Sequence, residues 1–249
     1  MRRADYLRMR RRGISGPNIA SYTVPTPQEF DGTNDFQSRG AALTGVSSSK
    51  VGTGSMWINW QSTSTSTILR GTPSFGLIIS VQSNVLNVEG YNSSSTRVLR
   101  LFSKALPAAP TGWVHWMWSY DLAAGVGHLY RNGVDDELGQ TITNDTIAYA
   151  SQTDWAYCAI PGGSGKTNAC MSQVWMDFGN YYDLSSSANR DLFYNSATGK
   201  PVDLGADGSN PGTTPIIYTD NGDLSDNKGS GGNFTTTGAL TACSSNPSD

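Results

Sequence analysis

The chain has 249 residues, of which Gly (28), Ser (31), Thr (24) and Asn (17) together supply 100, while Glu supplies 3 and Lys 5. Exposed helix faces favour Glu and Lys, so this alphabet excludes an all-α or doubly wound α/β fold and points to all-β. The net charge is -3 and no window approaches the ~20 apolar residues of a bilayer span, so no membrane insertion is expected and one main domain is.

The charge is unevenly placed. Residues 1–13 carry Arg2, Arg3, Arg8, Arg10, Arg11 and Arg12 against Asp5, a balance of +5 that leaves 11 basic and 19 acidic groups, -8, in the remainder. Such an arm docks into an acidic groove on a protein partner, stays a solvated tail, or neutralises phosphate. Its single aromatic residue, Tyr6, is too few for a single-strand binder, so nucleic acid is not the expected partner. No apolar run of roughly 7–15 residues follows the arm, which speaks against a cleaved export signal. Cys158, Cys170 and Cys243 are an odd number without CxxC spacing, which indicates neither a dense disulfide framework nor a zinc site. A reducing cytosol at synthesis is the expectation, with the state of each cysteine open.

Along the chain, Gly16-Pro17 and Pro25-Thr26-Pro27 mark an extended linker that ends near residue 28. The organisation expected is an arm and linker over 1–27, a β-sandwich over 28–182, and a short helix with a wrapped segment over 183–249. Period-two strands are predicted at Met56–Trp60, Ser66–Arg70, Phe75–Val81, Val85–Val88 and Arg97–Phe102. The most strongly marked is Trp113–Tyr120, where Val114, Trp116, Trp118 and Tyr120 share one face and Trp113, His115, Met117 and Ser119 the other. Bulk on both faces predicts a central strand with one face in the core and the other partly covered. Asp121 ends it, Val126–Arg131 returns, and Asn132-Gly133 turns the chain again. Ala156–Ile160 and Cys170–Phe178 flank a Gly-rich loop and read as a further hairpin. Beyond Asp183, which offers an N-cap, a helix of two or three turns is predicted over Ala188–Ala197, with Leu192 and Phe193 inward and Gly199-Lys200-Pro201 as its stop. The Gly- and Ser-rich end, with its apolar marks Ile216-Ile217-Tyr218 and Phe234, is predicted to lie on the sandwich.

Phe30-Asp31-Gly32-Thr33-Asn34-Asp35-Phe36 resembles the opening hairpin of laminin-G-like domains in the concanavalin A-like superfamily. Gly112-Trp113-Val114-His115, Asp121 and Leu129-Tyr130-Arg131-Asn132-Gly133 resemble that group's central hairpin, and Met171–Phe178 with Tyr182–Ser185 its closing strand. Asp183-Leu184-Ser185, Ala188-Asn189-Arg190, Gly199–Ser209 and Asn227–Phe234 with Gly238–Thr241 resemble the ends of laminin-G-like proteins of tailed bacteriophages and prophages, which are generally taken to be virion components. The resemblance implies a concanavalin A-like jelly-roll sandwich. It also implies calcium held by loop oxygens, for which Asp31, Asn34, Asp35, Asp135 and Asp136 are the candidates, with turn formation as the other reading of these residues.

Other constellations weigh less. Gly162–Thr167 ends like a phosphate-binding loop, but Ile160 stands where its first Gly is required, so it reads as a hairpin tip. Glucanases of the same superfamily pair two Glu on one strand, whereas Glu29, Glu89 and Glu137 are isolated in sequence, so no hydrolase is expected. His115 and His128 fall several residues apart along the ladder, which speaks against a shared metal. Trp57, Trp60, Trp113, Trp116 and Trp118 read as core, and Trp155 and Tyr181, nearer loops, as the better sugar-stacking candidates.

The resemblance and the charge asymmetry lead to a non-enzymatic bacteriophage virion protein, a surface decoration or head-fibre component at the virion surface. Its arm would be inserted among capsid or tail proteins, and it would form a homo-oligomer on the particle. The alternative is a carbohydrate-binding adhesin module of a tail or fibre that recognises host-surface glycan. A polysaccharide hydrolase comes last.

Overall fold

Alternation of apolar and polar residues over most of the chain produces strands in series. The computed structural model describes residues 22–73 and 76–249, so the arm with its six arginines lies outside the described residues. In chain order the strands are β1 (Gln28–Asp31), β2 (Phe36–Ser38), β3 (Val51–Trp60), β4 (Ser66–Thr72), β5 (Gly76–Gln82), β6 (Val85–Tyr91), β7 (Arg97–Ser103), β8 (Val114–Asp121) and β9 (Val126–Arg131). They continue with β10 (Val134–Asp135), β11 (Glu137–Ile142), β12 (Asp154–Tyr157) and β13 (Asn168–Asp177). After a single helical turn, α1 (Ser187–Arg190), come β14 (Tyr194–Asn195), β15 (Lys200–Pro201), β16 (Ile217–Thr219), β17 (Thr235–Thr237) and β18 (Thr241–Ala242).

Two antiparallel sheets result. The first has the order β10-β9-β8-β3-β13-β1-β18, with β16 beside the second half of β13; the second has the order β11-β7-β6-β5-β4-β12-β2-β17. This is the all-β sandwich expected from composition. Between the sheets lie Met56, Ile58 and Trp60 of β3 and Trp116, Trp118 and Tyr120 of β8, facing Leu77, Ile79 and Val81 of β5, Leu86 and Val88 of β6, and Leu99 and Leu101 of β7. Each large apolar side chain removed from water in this way contributes about 1.5–3 kcal/mol. Two glycines of β3 make room for the rings of β8: a Cβ on Gly54 would lie 2.2 Å from the Trp118 indole, and one on Gly52 would meet the Tyr120 ring.

Several local expectations are corrected. Ala156–Ile160 and Cys170–Phe178 do not form a hairpin: β12 pairs with β4 and β2 in the second sheet, whereas β13 pairs with β3, β1 and β16 in the first. Strand β13 is buried along nearly its whole length, so it needs partners on both edges and layers on both faces, which a hairpin cannot supply. The Gly-rich loop between them crosses from sheet to sheet, held where Thr67 N–H donates to the Gly165 carbonyl and the Thr167 hydroxyl to the Thr67 carbonyl. The opening segment likewise crosses, with β1 in the first sheet and β2 in the second.

The helix predicted over Ala188–Ala197 shrinks to the turn Ser187–Arg190. Phe193 is drawn down against Trp175, 4.9 Å between ring centroids, and Tyr194-Asn195 then pairs with Lys200-Pro201 as a ribbon, so packing overrides helix propensity. The three cysteines resolve as one Cys170–Cys243 disulfide and one buried thiol, Cys158.

Candidate functional site

The sandwich has two outer faces, and the sequence treats them differently. On the first sheet the outward positions are themselves aromatic or apolar: Trp57, His115, Met117 and Trp175 are buried under the segment that follows β13. Leu184 packs on Met117 and Tyr130, Phe193 and Leu204 on Trp175, and Tyr194 stacks on His115 at 5.2 Å. The Nε2 atom of His115 shares a 2.8 Å hydrogen bond with the Ser55 hydroxyl, and burial pulls the imidazole pKa down to about 3, so the ring is neutral. This face is a third packed layer.

On the second sheet the outward positions are polar. Strand alternation points Ile78, Ser80 and Gln82 of β5, Asn87, Glu89 and Tyr91 of β6, and Arg100 and Phe102 of β7 away from the core. The β5–β6 connection is a two-residue turn, Ser83-Asn84, with φ of 52° and 60°, which fixes the register. Ile78 then stands opposite Glu89, and Glu89 opposite Arg100, while Arg70 of β4 stands opposite Ile78 on the other side. A groove of about 440 Å3 opens along this row, lined by Thr65, Ser66, Thr67, Arg70, Ile78, Ser80, Gln82, Glu89, Tyr91, Ser95 and Ile160.

Its polar groups are held in place by one another. Arg97 Nη1 donates to Glu89 Oε1 at 2.8 Å, Arg100 Nε lies 3.7 Å from the same oxygen, and the Tyr91 hydroxyl donates to Glu89 Oε2 at 3.3 Å. Arg100 also donates through Nε and Nη2 to Asn87 Oδ1, at 3.1 and 2.9 Å, and its guanidinium lies 4.6 Å over the Phe102 ring. Burial, together with the Glu89 charge, raises the Tyr91 phenol above its ordinary value, so it stays a hydrogen-bond donor at neutral pH. A carboxylate, an amide, hydroxyls, guanidinium groups and two aromatic rings therefore share one rigid strand surface. This set suits a polyhydroxylated ligand, whose hydroxyls need donors and acceptors together. Glu89 is the one carboxylate among the described residues lining the groove, so the facing pair that glycoside hydrolysis uses is not assembled there.

The residues singled out from sequence lie elsewhere. Trp155 is corrected: it is fully buried in the second sheet between β4 and β2 and stacks on Phe178 at 5.9 Å, so no sugar reaches it. Tyr181 is half-buried on the opposite side of the molecule from the groove, beside the covered face. Its hydroxyl lies 3.2 Å from His128 Nε2, and burial, Asp183 and Asp121 push its phenol up to about 12.

Several oxygens of the calcium candidates are engaged by protein donors, whereas Asp136 Oδ2 is buried without a hydrogen-bond partner. Asp31 Oδ1 accepts from the N–H groups of Thr33, Asn34 and Asp35, which holds its carboxyl below the usual range. Asp35 accepts from Ala239 and Asp31, Asp135 from Glu137, and Asp136 from Arg131. The N–H contacts at Asp31, Asp35 and Asp135 are those of turn and loop fasteners. Among the described residues no three His, Cys, Asp or Glu cluster as metal ligands.

No known family profile and no curated protein matches the chain. Solved structures do. A protein of Bacteroides ovatus, provisionally described as carbohydrate binding, superposes with a TM-score of 0.60 at 16% identity, over 90% of this chain and 62% of that one. The chain thus spans less than two thirds of that neighbour's length. A heptameric pentraxin of Limulus polyphemus follows with a TM-score of 0.47 at 14% identity, over 66% of this chain and 80% of that one. Domains LG4-5 of the mouse laminin α1 chain give 0.47 at 11% identity, over 65% and 44%. The first likeness places the chain in the jelly-roll class of β-sandwich. None of them carries a bacteriophage origin, and the virion role expected from the C-terminal motifs gains nothing from them.

Proposed function

We propose that the chain is a carbohydrate-binding β-sandwich module that holds glycan in the groove across β4–β7. The observation that carries this reading is the groove itself, where Glu89 and Tyr91 line the wall and, with Arg97 and Arg100 opposite them on the next strand, brace one another before any ligand arrives. Pre-organisation of this kind spares a ligand the cost of ordering side chains. The Bacteroides ovatus protein, provisionally described as carbohydrate binding and similar in fold over most of this chain, supports the same class. It is the alternative foreseen from sequence, now moved from the loops to a sheet face.

A glycan array probed with the labelled full-length chain tests it. Binding to a restricted set of glycans is expected, with Glu89→Gln reducing the signal by about tenfold or more, because it loosens the Arg97 and Arg100 guanidinium groups and hydrogen bonds to charged groups are each worth about 1.5–3 kcal/mol. An array without any specific signal would overturn the reading. Repeating the array in chelator tests the calcium expectation for Asp31, Asn34, Asp35, Asp135 and Asp136.

A further inference from the structure

We infer that the groove selects acidic sugars, with Arg97 and Arg100 receiving the carboxylate of a hexuronate-type residue. This rests on the glycan-binding reading above and adds the ligand class. The first ground is a reversal of charge: residues 14–249 carry 11 basic against 19 acidic groups, yet Arg97 and Arg100 converge on Glu89, the one carboxylate among the described residues lining the groove, and Arg70 lines the groove as well. Three of the eleven basic groups of an acidic body therefore meet on one small surface. A neutral glycan gives no reason for that concentration, since amides, hydroxyls and one carboxylate already complement its hydroxyls. An anionic one does, because the excess positive charge attracts it and is neutralised by it.

The second ground is orientation. Asn87 Oδ1 occupies the Nε and Nη2 groups of Arg100 and Phe102 supports its plane, so the guanidinium is held flat against the sheet. Glu89 fixes Arg97 through Nη1 alone. A guanidinium carries five N–H donors in a rigid fork, so these partners leave donors over on both side chains. A planar carboxylate matches such a fork by two parallel hydrogen bonds, which a sugar hydroxyl cannot do. Access agrees with this division of labour: the side chains of Arg97 and Arg100 are 41% and 34% exposed, whereas that of Glu89 is 9% exposed. Glu89 is the internal brace and the two arginines are the groups a ligand meets.

Calorimetric titration of the full-length chain with a hexuronate oligosaccharide of about four residues, and with the same oligosaccharide after reduction of its carboxyl groups to alcohols, tests the inference. The uronate is expected to bind about tenfold or more tightly than its neutral counterpart, with an affinity that falls as salt is raised. Arg97→Gln and Arg100→Gln should each erase most of that preference, and Arg100→Lys should lose it too, because the charge remains but the fork does not. Equal affinity for the two oligosaccharides overturns the inference and leaves the glycan-binding reading standing. Failure of both to bind, with a blank array, overturns both. The comparison of the two oligosaccharides uses the unaltered chain, so it decides the matter even if a variant does not fold.

Discussion

The outer faces of the two sheets are built from the same period-two backbone and end up with opposite fates. Outward positions on β3, β8 and β13 hold Trp57, His115, Met117 and Trp175, and the chain after β13 folds back to bury them. Outward positions on β5 and β6 hold Ile78, Ser80, Gln82, Glu89 and Tyr91, and they border an open groove. A face that cannot be left in water acquires a third layer, and a face that can be left in water becomes available for a ligand.

That contrast breaks most visibly if the covered face is attacked. Trp175→Ala removes the anchor under Phe193, Leu204 and Tyr218, and should cost about 3–5 kcal/mol of stability in denaturant melts. Cys243→Ser releases the Cys170 bridge that pins the end of the covering segment to β13 across 73 residues. By loop-closure entropy this costs up to about 4 kcal/mol, read as the same loss on adding reductant to the unaltered chain.

Acid provides a gentler probe of the covered face. The His115 pKa falls from 6.5 to about 3 on folding, so between those values the unfolded chain binds a proton that the folded chain does not. Stability is therefore unaffected by His115 above pH 6.5 and is lost as pH falls below it, by about 1.4 kcal/mol per pH unit. Comparing melts of the unaltered chain with His115→Phe across that range isolates the effect: the variant should lack this part of the slope, and identical slopes would contradict it. The smallest expected effect lies on the open face. Arg97→Gln should change stability by less than about 1 kcal/mol, since its side chain is 41% exposed and the ion pair with Glu89 is screened by solvent, while removing preference for an acidic ligand.

Most strands, the N-G turn and the two-faced character of β8 were legible in the sequence, because alternation, turn residues and aromatic bulk are local signals. The sheet to which a strand belongs was not local. Cys170–Phe178 follows Ala156–Ile160 across a Gly-rich loop, as a hairpin would, and only the burial demanded by Met171, Val174, Trp175 and Met176 sends it to the other layer. The helix after Asp183 failed for a related reason, since Phe193 obeys Trp175 and not the chain's helical tendency.

The groove was half legible. Asn87, Glu89, Arg100 and Phe102 already alternate with Val88, Leu99 and Leu101, and the two-residue Ser83-Asn84 turn fixes which of them face one another. Glu89 is without a second carboxylate, as its sequence suggests, but its arginine partners Arg97 and Arg100 come from the next strand and show only in the register. Trp155 drew notice because it lies near a loop in sequence, although β12 is paired on both edges, with β4 and β2, inside the sheet.

The central claim is that the uncovered face of the second sheet is where ligand binds. Hydrogen exchange of the full-length chain, with and without an array-positive glycan, tests it directly. The account predicts slower exchange confined to β4–β7 and the Ser95 turn, with the covering segment over 181–204 unchanged. Protection at Tyr181, at the Asp31–Asp35 turn or at Asp135-Asp136, with β4–β7 unaltered, would contradict it.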